Sequence, residues 1–212
     1  MQWTLVIPLK PLARAKSRLS DTAAEGLRPA LALAFAQDTV AAALASAAVR
    51  DVAVVTDDEL AARELAALGA RVVPDAPRAG LNAALAHGEA VVRACRPDSA
   101  VAALNADLPA LRSAELSRVL DLAAEFPRAF LPDAAAIGTT LLAATPGAQL
   151  RPAFGADSRA RHRASGAAEL HLGTVDSVRQ DVDTGEDLRA ALALGVGRHT
   201  AAVSAGLLIP GT

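Results

Sequence analysis

Three aspartates have the strongest potential for chemistry in this chain. Asp107 follows an apolar run at residues 99–104, which predicts a carboxylate at the carboxyl end of a buried strand. Asp181 and Asp183 lie two residues apart, so in an extended segment both carboxylates point the same way and repel each other unless a cation lies between them. Magnesium that carries nucleotide phosphates is commonly held by one or two carboxylates. These residues predict a magnesium site formed by Asp107 together with Asp181 or Asp183.

Each acidic segment also has an interpretation that needs no metal. The residues around Asp107 are turn formers, so the segment is also typical of an ordinary turn. Asp183 can anchor its loop through backbone amides, which leaves Asp181 as the favoured second ligand. Thr184 and Asp187 fit a helix cap in which Thr184 caps and Asp187 takes the third helical position, and this explains both without a function.

A basic loop follows the first apolar run, at residues 5–9. It carries four cationic side chains: Lys10, Arg14, Lys16 and Arg18. In an open α/β sheet, phosphate binds beyond the carboxyl ends of the strands, which is where this loop lies. The glycine-rich phosphate-binding motifs are missing, so cationic side chains and loop amides would hold the phosphate here. The alternative is a solvated basic loop without a ligand.

A second candidate anion site lies at residues 154–166. Gly155 permits close approach of the backbone, and Ser158 is suited to cap the helix that follows. The amino end of a helix attracts anions, and three arginines within the same turns add positive charge. The alternative is a capped helix with a solvated basic face.

Two shorter motifs offer further polar groups. Residues 138–140 bring hydroxyl groups to a predicted strand, where they are either ordinary strand formers or donors to a small carboxylate. Gly80 and Asn82 precede or begin a predicted helix, and the Asn82 amide is suited either to a purine edge or to the helix cap.

Composition narrows the classes of function. The 212 residues suit one α/β domain, residues 1–212, with 52% hydrophobic residues but only 2% aromatic ones, so small aliphatic side chains must build the core. A net charge of −2 argues against nucleic-acid binding. The single cysteine excludes a disulfide framework, and the four histidines lack metal-ligand spacing. We expect no membrane span and no signal peptide, and therefore a cytoplasmic protein.

Apolar runs of strand length alternate with segments of helix length through most of the chain. This alternation predicts a mostly parallel sheet with helices on both faces. Strands are predicted at residues 5–9, 51–56, 71–73, 99–104, 129–131, 137–143 and 169–172, with the sixth antiparallel. Helices are predicted at residues 27–47, 58–68, 81–94, 114–124, 158–165 and 186–194, the last of these being the final clear helix.

Six motifs together resemble the guanylyltransferases of coenzyme F-420 biosynthesis, which activate 2-phospholactate or phosphoenolpyruvate with GTP. The motifs lie at residues 6–19, 80–82, 105–109, 138–140, 154–158 and 181–184, and the likeness extends to about residue 194. The resemblance implies a Rossmann-like nucleotidyltransferase fold, a single domain with a small antiparallel insertion. It also implies a nucleotidyltransferase activity with GTP and a small phospho-carboxylic acid as partners.

The resemblance assigns roles to individual residues. Catalysis would depend on Lys16, Asp107 and Asp181. Mg²⁺ would be held by Asp107 and Asp181, with Asp183 as a further candidate. The three-carbon acceptor would be held by Thr140, Gly155 and Ser158. The nucleotide would be held by Pro8, Lys10, Lys16, Gly80 and Asn82. The glycine-rich loop of many sugar nucleotidyltransferases is absent.

The expected reaction needs no general base, because a phosphate acceptor is already ionised at neutral pH. Catalysis would then consist of positioning and charge neutralisation. Phosphoenolpyruvate is the expected acceptor, because the alanine- and arginine-rich composition is typical of actinobacteria, whose family members are associated with that compound. The alternatives are a molybdopterin guanylyl- or cytidylyltransferase, a glycosyltransferase, and a non-catalytic nucleotide-binding module.

Overall fold

A computed structural model describes residues 1–14 and 26–205, so the predicted site residue Lys16 and its neighbour Arg18 lie outside the described residues. Within these ranges the strands are β1 (Trp3–Pro8), β2 (Val49–Val55), β3 (Arg71–Val73), β4 (Ala100–Leu104), β5 (Arg128–Pro132), β6 (Thr139–Ala144) and β7 (Ala168–Glu169). The helices of the same ranges are α1 (Leu27–Leu44), α2 (Glu59–Ala67), α3 (Leu81–Cys95), α4 (Ser113–Ala123), α5 (Ser158–Ala164), α6 (Asp176–Arg179), α7 (Gly185–Leu194) and α8 (Arg198–Ala205), with a 3-10 turn at Leu12–Arg14.

The strands form one mixed sheet in the order β3-β2-β1-β4-β6-β5-β7. The first four strands of this order are mutually parallel, while β6 runs antiparallel to both β4 and β5. The predicted mostly parallel sheet with an antiparallel strand is therefore confirmed. The chain proceeds from β1 to one side through β2 and β3, then returns to the other side of β1 at β4. Such a reversal creates a crevice at the carboxyl ends of the two strands, which is where open α/β sheets bind ligands.

Side chains of β1 alternate between two apolar cores on opposite faces of the sheet. Leu5 and Ile7 pack with residues of α1, α2 and α4, whereas Val6 packs with residues of α3. Helix α3 lies close to the sheet at Gly88, where an added Cβ would fall 2.5 Å from Cγ1 of Val6. In this core, small residues let the backbones of α3 and β1 approach closely, so the space between them is filled without aromatic side chains.

The prediction misses two helices and extends one strand too far. The seventh strand comprises only Ala168–Glu169. Helix α6 is a single turn, and α8 begins where the buried carboxylate of Asp38 accepts hydrogen bonds from the backbone N–H of His199 (3.0 Å) and Thr200 (2.8 Å). A capping group contributed by a distant helix leaves no local signal in the sequence. None of the helices in the described part of the chain is both long and apolar enough to cross a membrane.

Candidate active site

A cavity of about 670 Å³ opens at the carboxyl ends of β1 and β4. It brings together seven of the residues singled out from the sequence: Pro8, Lys10, Asp107, Gly155, Ser158, Asp181 and Asp183. These residues come from four separate segments of the chain. The topology explains the convergence, because β1 and β4 are adjacent and parallel, with Val6 paired to Ala103.

Backbone contacts hold the two predicted metal-binding segments against each other. The N–H of Val182 donates to the carbonyl oxygen of Asp107 at 3.0 Å. The amide Nδ2 of Asn105 donates to Oδ2 of Asp181 at 3.3 Å, so the carboxylate of Asp181 is oriented toward the end of β4. On the other side, the N–H of Leu108 donates to Oγ1 of Thr39 in α1 at 3.0 Å. Asp107 is therefore fixed between the sheet, α1 and the segment that carries Asp181.

Asp183 lies at the rim of the cavity, directly before the cap of α7. The side chain of Thr184 accepts from the N–H of Asp187, and the side chain of Asp187 accepts from the N–H of Thr184, which confirms the predicted capping arrangement. The carboxylate of Asp187 also accepts from the N–H of Asp183 at 3.1 Å. Asp183 is exposed, so of the two neighbouring acids Asp181 lies deeper.

The start of the basic loop is tied to β2 and α2. The N–H of Leu9 donates to the carbonyl oxygen of Val55 at 2.9 Å. The N–H of Leu12 donates to Oδ2 of Asp58 at 2.8 Å, while the other oxygen of the same carboxylate caps α2 through the N–H of Ala61. These contacts hold Lys10 at the cavity mouth.

The loop before α5 reaches the cavity through an unusual backbone path. Gly155 has a φ of +112°, a region that L side chains rarely adopt, and Asp157 has a φ of 53°. The expectation that Ser158 caps the helix is wrong, because Asp157 occupies the cap position and Ser158 is the first helical residue. Ser158 is buried and lines the cavity.

Asn82 supports this loop from α3. Its Nδ2 donates to the carbonyl oxygen of Phe154 at 3.1 Å, and its Oδ1 accepts from the N–H of Phe154 at 2.8 Å. The alternative that Asn82 caps α3 is wrong, because Gly80 holds the cap position, with a φ of +96°. Neither Gly80 nor Asn82 is among the described lining residues, whereas Leu81 is. Their predicted role toward the nucleotide stays a prediction.

The hydroxyl residues of β6 divide between the cavity and the core. Thr139 lines the cavity, and its Oγ1 lies 2.9 Å from Nδ1 of His162 in α5. Thr140 is fully buried, and its carbonyl oxygen accepts from the N–H of Asn105 at 3.0 Å. Thr140 is absent from the described lining residues, so its predicted contact with the acceptor stays a prediction.

His162 is a fully buried histidine with both ring nitrogens engaged. Besides the contact with Thr139, its Nε2 lies 3.0 Å from the backbone nitrogen of Ala153. The pKa of His162 is lowered from 6.5 to about 4, mainly by burial and in addition by the positive charges of Arg128 and Arg161. The ring is therefore neutral at physiological pH.

Asp133, which the sequence analysis did not single out, also lines the cavity. Its carboxylate accepts from the N–H of Ile137 at 2.9 Å and of Gly138 at 2.8 Å, which closes the turn between β5 and β6. An added Cβ at Gly138 would lie 2.3 Å from Oδ2 of Asp133. The sixth strand was predicted to begin at residue 137, but residues 137 and 138 belong to this turn and β6 begins at Thr139.

The three arginines of α5 act mainly as structural supports. Arg159 pairs with Glu169 at 2.8 Å and donates to the carbonyl oxygen of Ala136 at 2.7 Å. Arg163 pairs with the same carboxylate, and these contacts, above all the hydrogen bond from Arg159, lower the pKa of Glu169. Arg161 donates to the carbonyl oxygen of Ala156.

The described lining of the cavity is strongly acidic. It includes five aspartates, Asp107, Asp133, Asp157, Asp181 and Asp183, whereas Lys10 is the only basic side chain among the described lining residues. Within the described ranges, no group of three or more histidine, cysteine, aspartate or glutamate residues is arranged to hold a metal ion. A cation at Asp107 and Asp181 would therefore have to complete its coordination with ligands beyond these carboxylates, as Mg²⁺ does with waters and phosphates.

The fold is that of nucleotidyltransferases. A protein of Desulfovibrio desulfuricans described as a nucleotide-diphospho-sugar transferase superimposes with a TM-score of 0.67 at 18% identity, covering 99% of this chain and 100% of that one. A nucleotidyl transferase from Methanothermobacter superimposes with a TM-score of 0.63 at 24% identity, covering 91% and 97% of the two chains. At such identities the likeness concerns the fold alone.

Sequence similarity is closer and defines the family. Residues 3–205 match the family described as Guanylyl transferase CofC like, and the chain belongs to that family. A protein of Streptomyces avermitilis named phosphoenolpyruvate guanylyltransferase is 81% identical over 211 residues, which cover 100% of this chain and 98% of the relative. A protein of the same name from Frankia casuarinae is 47% identical over 99% of this chain and 80% of its own length.

Proposed function

We propose that this protein transfers a guanylyl group from GTP to the phosphate of phosphoenolpyruvate, releasing pyrophosphate. The observation that carries the proposal is the convergence of acidic, basic and hydroxyl-bearing residues on one cavity that is large enough for a nucleotide and a small acid. Membership of a guanylyl transferase family supports the donor, and relatives named phosphoenolpyruvate guanylyltransferase support the acceptor. The product would enter coenzyme F-420 biosynthesis, the pathway that the family resemblance implies.

We further propose that the enzyme uses Mg²⁺ held by Asp107 and Asp181. The excess of aspartates over basic side chains in the described lining supports this, because a triphosphate and a phospho-acid would otherwise meet net repulsion. Two carboxylates suffice when phosphate oxygens and waters complete the coordination. When bound, the ion would neutralise charge on the phosphates and polarise the reacting phosphorus.

In the proposed reaction an oxygen of the acceptor phosphate attacks the α-phosphorus of GTP in line. The new P–O bond joins the two phosphates, and the bond from the α-phosphorus to the bridging oxygen breaks, so its electron pair leaves with pyrophosphate. Lys10 lies at the mouth of the cavity, where its ammonium group is suited to the triphosphate. Because the attacking oxygen is already ionised, the protein needs to position the two substrates rather than to remove a proton.

The acceptor would lie between α5 and β6. Gly155, Ser158 and Thr139 line this side of the cavity, and the positive φ of Gly155 brings loop backbone to its wall. Hydroxyl and backbone donors of this kind suit the adjacent carboxylate and phosphate of a three-carbon phospho-acid. The nucleotide would then occupy the side of β1 and Leu81, near the predicted residues Pro8 and Lys10.

The test is a competition assay with the purified protein. Phosphoenolpyruvate and 2-phospholactate are supplied at equal concentration with GTP and Mg²⁺, and the products are separated by mass. We expect mainly the guanosine diphospho-enolpyruvyl product, pyrophosphate release that needs Mg²⁺, and slower turnover with CTP or ATP. Predominance of the lactyl product would contradict the acceptor, faster turnover with CTP would contradict the base, and full activity with a chelator would contradict the metal.

A further inference from the structure

We propose that His162 is a positioning residue whose Nδ1–H fixes the Thr139 hydroxyl as a hydrogen-bond donor to the acidic groups of the acceptor. Three observations support this inference: the arrangement of hydrogen bonds around the ring, the aromatic packing that holds the ring in place, and the position of Thr139 in the cavity wall. The inference rests on the proposed function for the identity of the acceptor.

The hydrogen bonds around the imidazole define its tautomer. A backbone N–H can only donate, so the contact of 3.0 Å between the nitrogen of Ala153 and Nε2 of His162 requires Nε2 to accept. An accepting Nε2 carries no proton, so the single proton of the neutral ring lies on Nδ1. At 2.9 Å from Oγ1 of Thr139, Nδ1 must then be the donor of that hydrogen bond.

The ring cannot easily turn away from this arrangement. It packs edge-on against Phe154, with ring centroids 5.0 Å apart and planes inclined at 74°, and it contacts Phe130 at 5.7 Å. The whole residue is inaccessible to solvent. Because Ala153 directly precedes Phe154, the same ring orders the loop that leads to Gly155 and Ser158.

The consequence concerns the proton of the Thr139 hydroxyl. Its oxygen already receives the hydrogen bond from His162, so its own proton must be directed to another acceptor. Among the residues that the structure describes, none accepts a hydrogen bond from this hydroxyl, while Thr139, like Ser158, lines the cavity. A hydroxyl held in this way presents a donor to an anionic oxygen before the substrate arrives, which lowers the cost of ordering it.

The burial of His162 keeps this arrangement intact over the working pH range. The neighbouring charged groups, Arg128 and Arg161, disfavour a second ring proton, in the same direction as burial does. A doubly protonated ring would lose the hydrogen bond from the N–H of Ala153, because a protonated Nε2 can no longer accept.

The kinetic test compares variants of Thr139 and His162. Thr139→Val removes the hydroxyl at nearly constant volume, and we expect the KM for phosphoenolpyruvate to rise about 10- to 100-fold, as for a lost hydrogen bond to a charged group, with little change for GTP. Thr139→Ser should recover most of the loss. His162→Phe keeps an aromatic ring but has no donor. As a single substitution it should raise the KM for phosphoenolpyruvate severalfold, whereas in the Thr139→Val enzyme it should cause no further rise.

A spectroscopic test measures the tautomer without substrate. The ¹⁵N shifts of the His162 ring, assigned by comparison with His162→Phe, should show a protonated Nδ1 and an unprotonated Nε2 at neutral pH. The opposite tautomer would overturn the inference, as would a folded Thr139→Val enzyme with unchanged KM for phosphoenolpyruvate. If the wild-type enzyme forms no product, the proposed function is overturned instead. The ¹⁵N shifts of His162 would then still test the hydrogen-bond arrangement around the ring.

Discussion

The backbone around Asp107 is held from two directions. This residue lies three residues beyond β4, its carbonyl oxygen is bonded to Val182, and the following residue is bonded to Thr39. An ion held by the Asp107 carboxylate would thus be bound by a side chain whose backbone is fixed on both sides. Such preorganisation is the reason that single charges at phosphoryl-transfer sites have large effects on rate.

The first prediction is that Asp107→Asn lowers turnover by on the order of 100-fold or more while the fold is retained, because the volume is nearly unchanged and one charge is lost. Turnover is measured with saturating Mg²⁺, and circular dichroism checks the fold. Asp181→Asn should behave similarly, and Asp183→Asn more mildly because Asp183 is exposed. The exposed Asp121→Asn in α4 is the control, and near-native turnover of a folded Asp107→Asn enzyme would remove Asp107 from the mechanism.

The second prediction concerns Ser158. Ser158→Ala should raise the KM for the acceptor about 10- to 100-fold and leave that for GTP almost unchanged, because a hydroxyl donor to a charged group is lost. Initial rates at varied concentrations of each substrate measure both constants. Ser165→Ala, at the opposite end of α5, serves as the control. A variant with lower thermal stability but unaltered kinetics would show that Ser158 contributes only to packing.

At the scale of elements, the approach of α3 to the sheet depends on one small residue. An added Cβ at Gly88 would lie 2.5 Å from Cγ1 of Val6 and 2.8 Å from Cγ2 of Val55, so either the helix or the strands must move. The same helix carries Asn82, which holds the backbone of Phe154 next to the cavity. A shift of α3 at Gly88 would therefore also move Asn82 and the loop before α5 that it holds.

The third prediction is that Gly88→Ala destabilises the protein by about 1–2 kcal/mol, since overpacking costs about 1–3 kcal/mol and better helix propensity returns up to about 1 kcal/mol. Chemical denaturation measures the free energy of unfolding. Gly26→Ala is the matched control, because an added Cβ there meets no atom of the described residues within 4 Å and its φ is −72°. Equal stability of the two variants would contradict the close packing.

The strands and most helices could be predicted because their signals are local. Apolar runs gave β1 and β4 to within two residues, and Thr184 with Asp187 marked the start of α7. Residues defined by distant contacts could not be found this way. Asp38 caps α8 through the N–H of His199, which lies 161 residues further along the chain. Nothing near Asp38 in the sequence indicates this contact.

The residues of the candidate site also divide into those with a local signal in the sequence and those defined by distant contacts. Asp107 and Asp181 could be selected because strand ends and paired acids are visible in sequence, and the structure brings both to one cavity. His162 carries no signal in the sequence beyond the missing metal-ligand spacing of the four histidines, and in the structure both of its ring nitrogens form hydrogen bonds. Its relation to Thr139 depends on how α5 packs against β6, which is a tertiary property without periodicity or spacing.

At the scale of the whole molecule, stability should depend on pH through His162. Its pKa is lowered from 6.5 to about 4 in the folded state, so between these values the unfolded chain binds a proton that the folded protein does not. Stability from this residue is therefore complete above about pH 6.5 and is lost as the pH falls toward 4. The pKa of Glu169 is also lowered in the folded protein, so protonation of this carboxylate removes further stability at still lower pH.

The fourth prediction is that the free energy of unfolding falls between pH 6.5 and pH 4 by on the order of 3 kcal/mol through His162, from the difference in pKa between the two states. Urea denaturation at a series of pH values measures the slope. His162→Phe should remove this part of the slope, whereas the exposed His171→Gln should keep it. An unchanged slope in His162→Phe would contradict the neutral buried ring.

The hydrogen bond between Asn105 and Asp181 joins positions 76 residues apart. During synthesis on the ribosome, β1 to β4 emerge before Asp181 does, so a sheet that paired at that stage would carry only one of the two carboxylates. If the proposed function holds, affinity for a divalent ion and for a triphosphate would arise only when the segment through Asp183 docks onto the end of β4. On that proposal, the growing chain would bind no nucleotide before β6, α5 and the loop before α5 have been made.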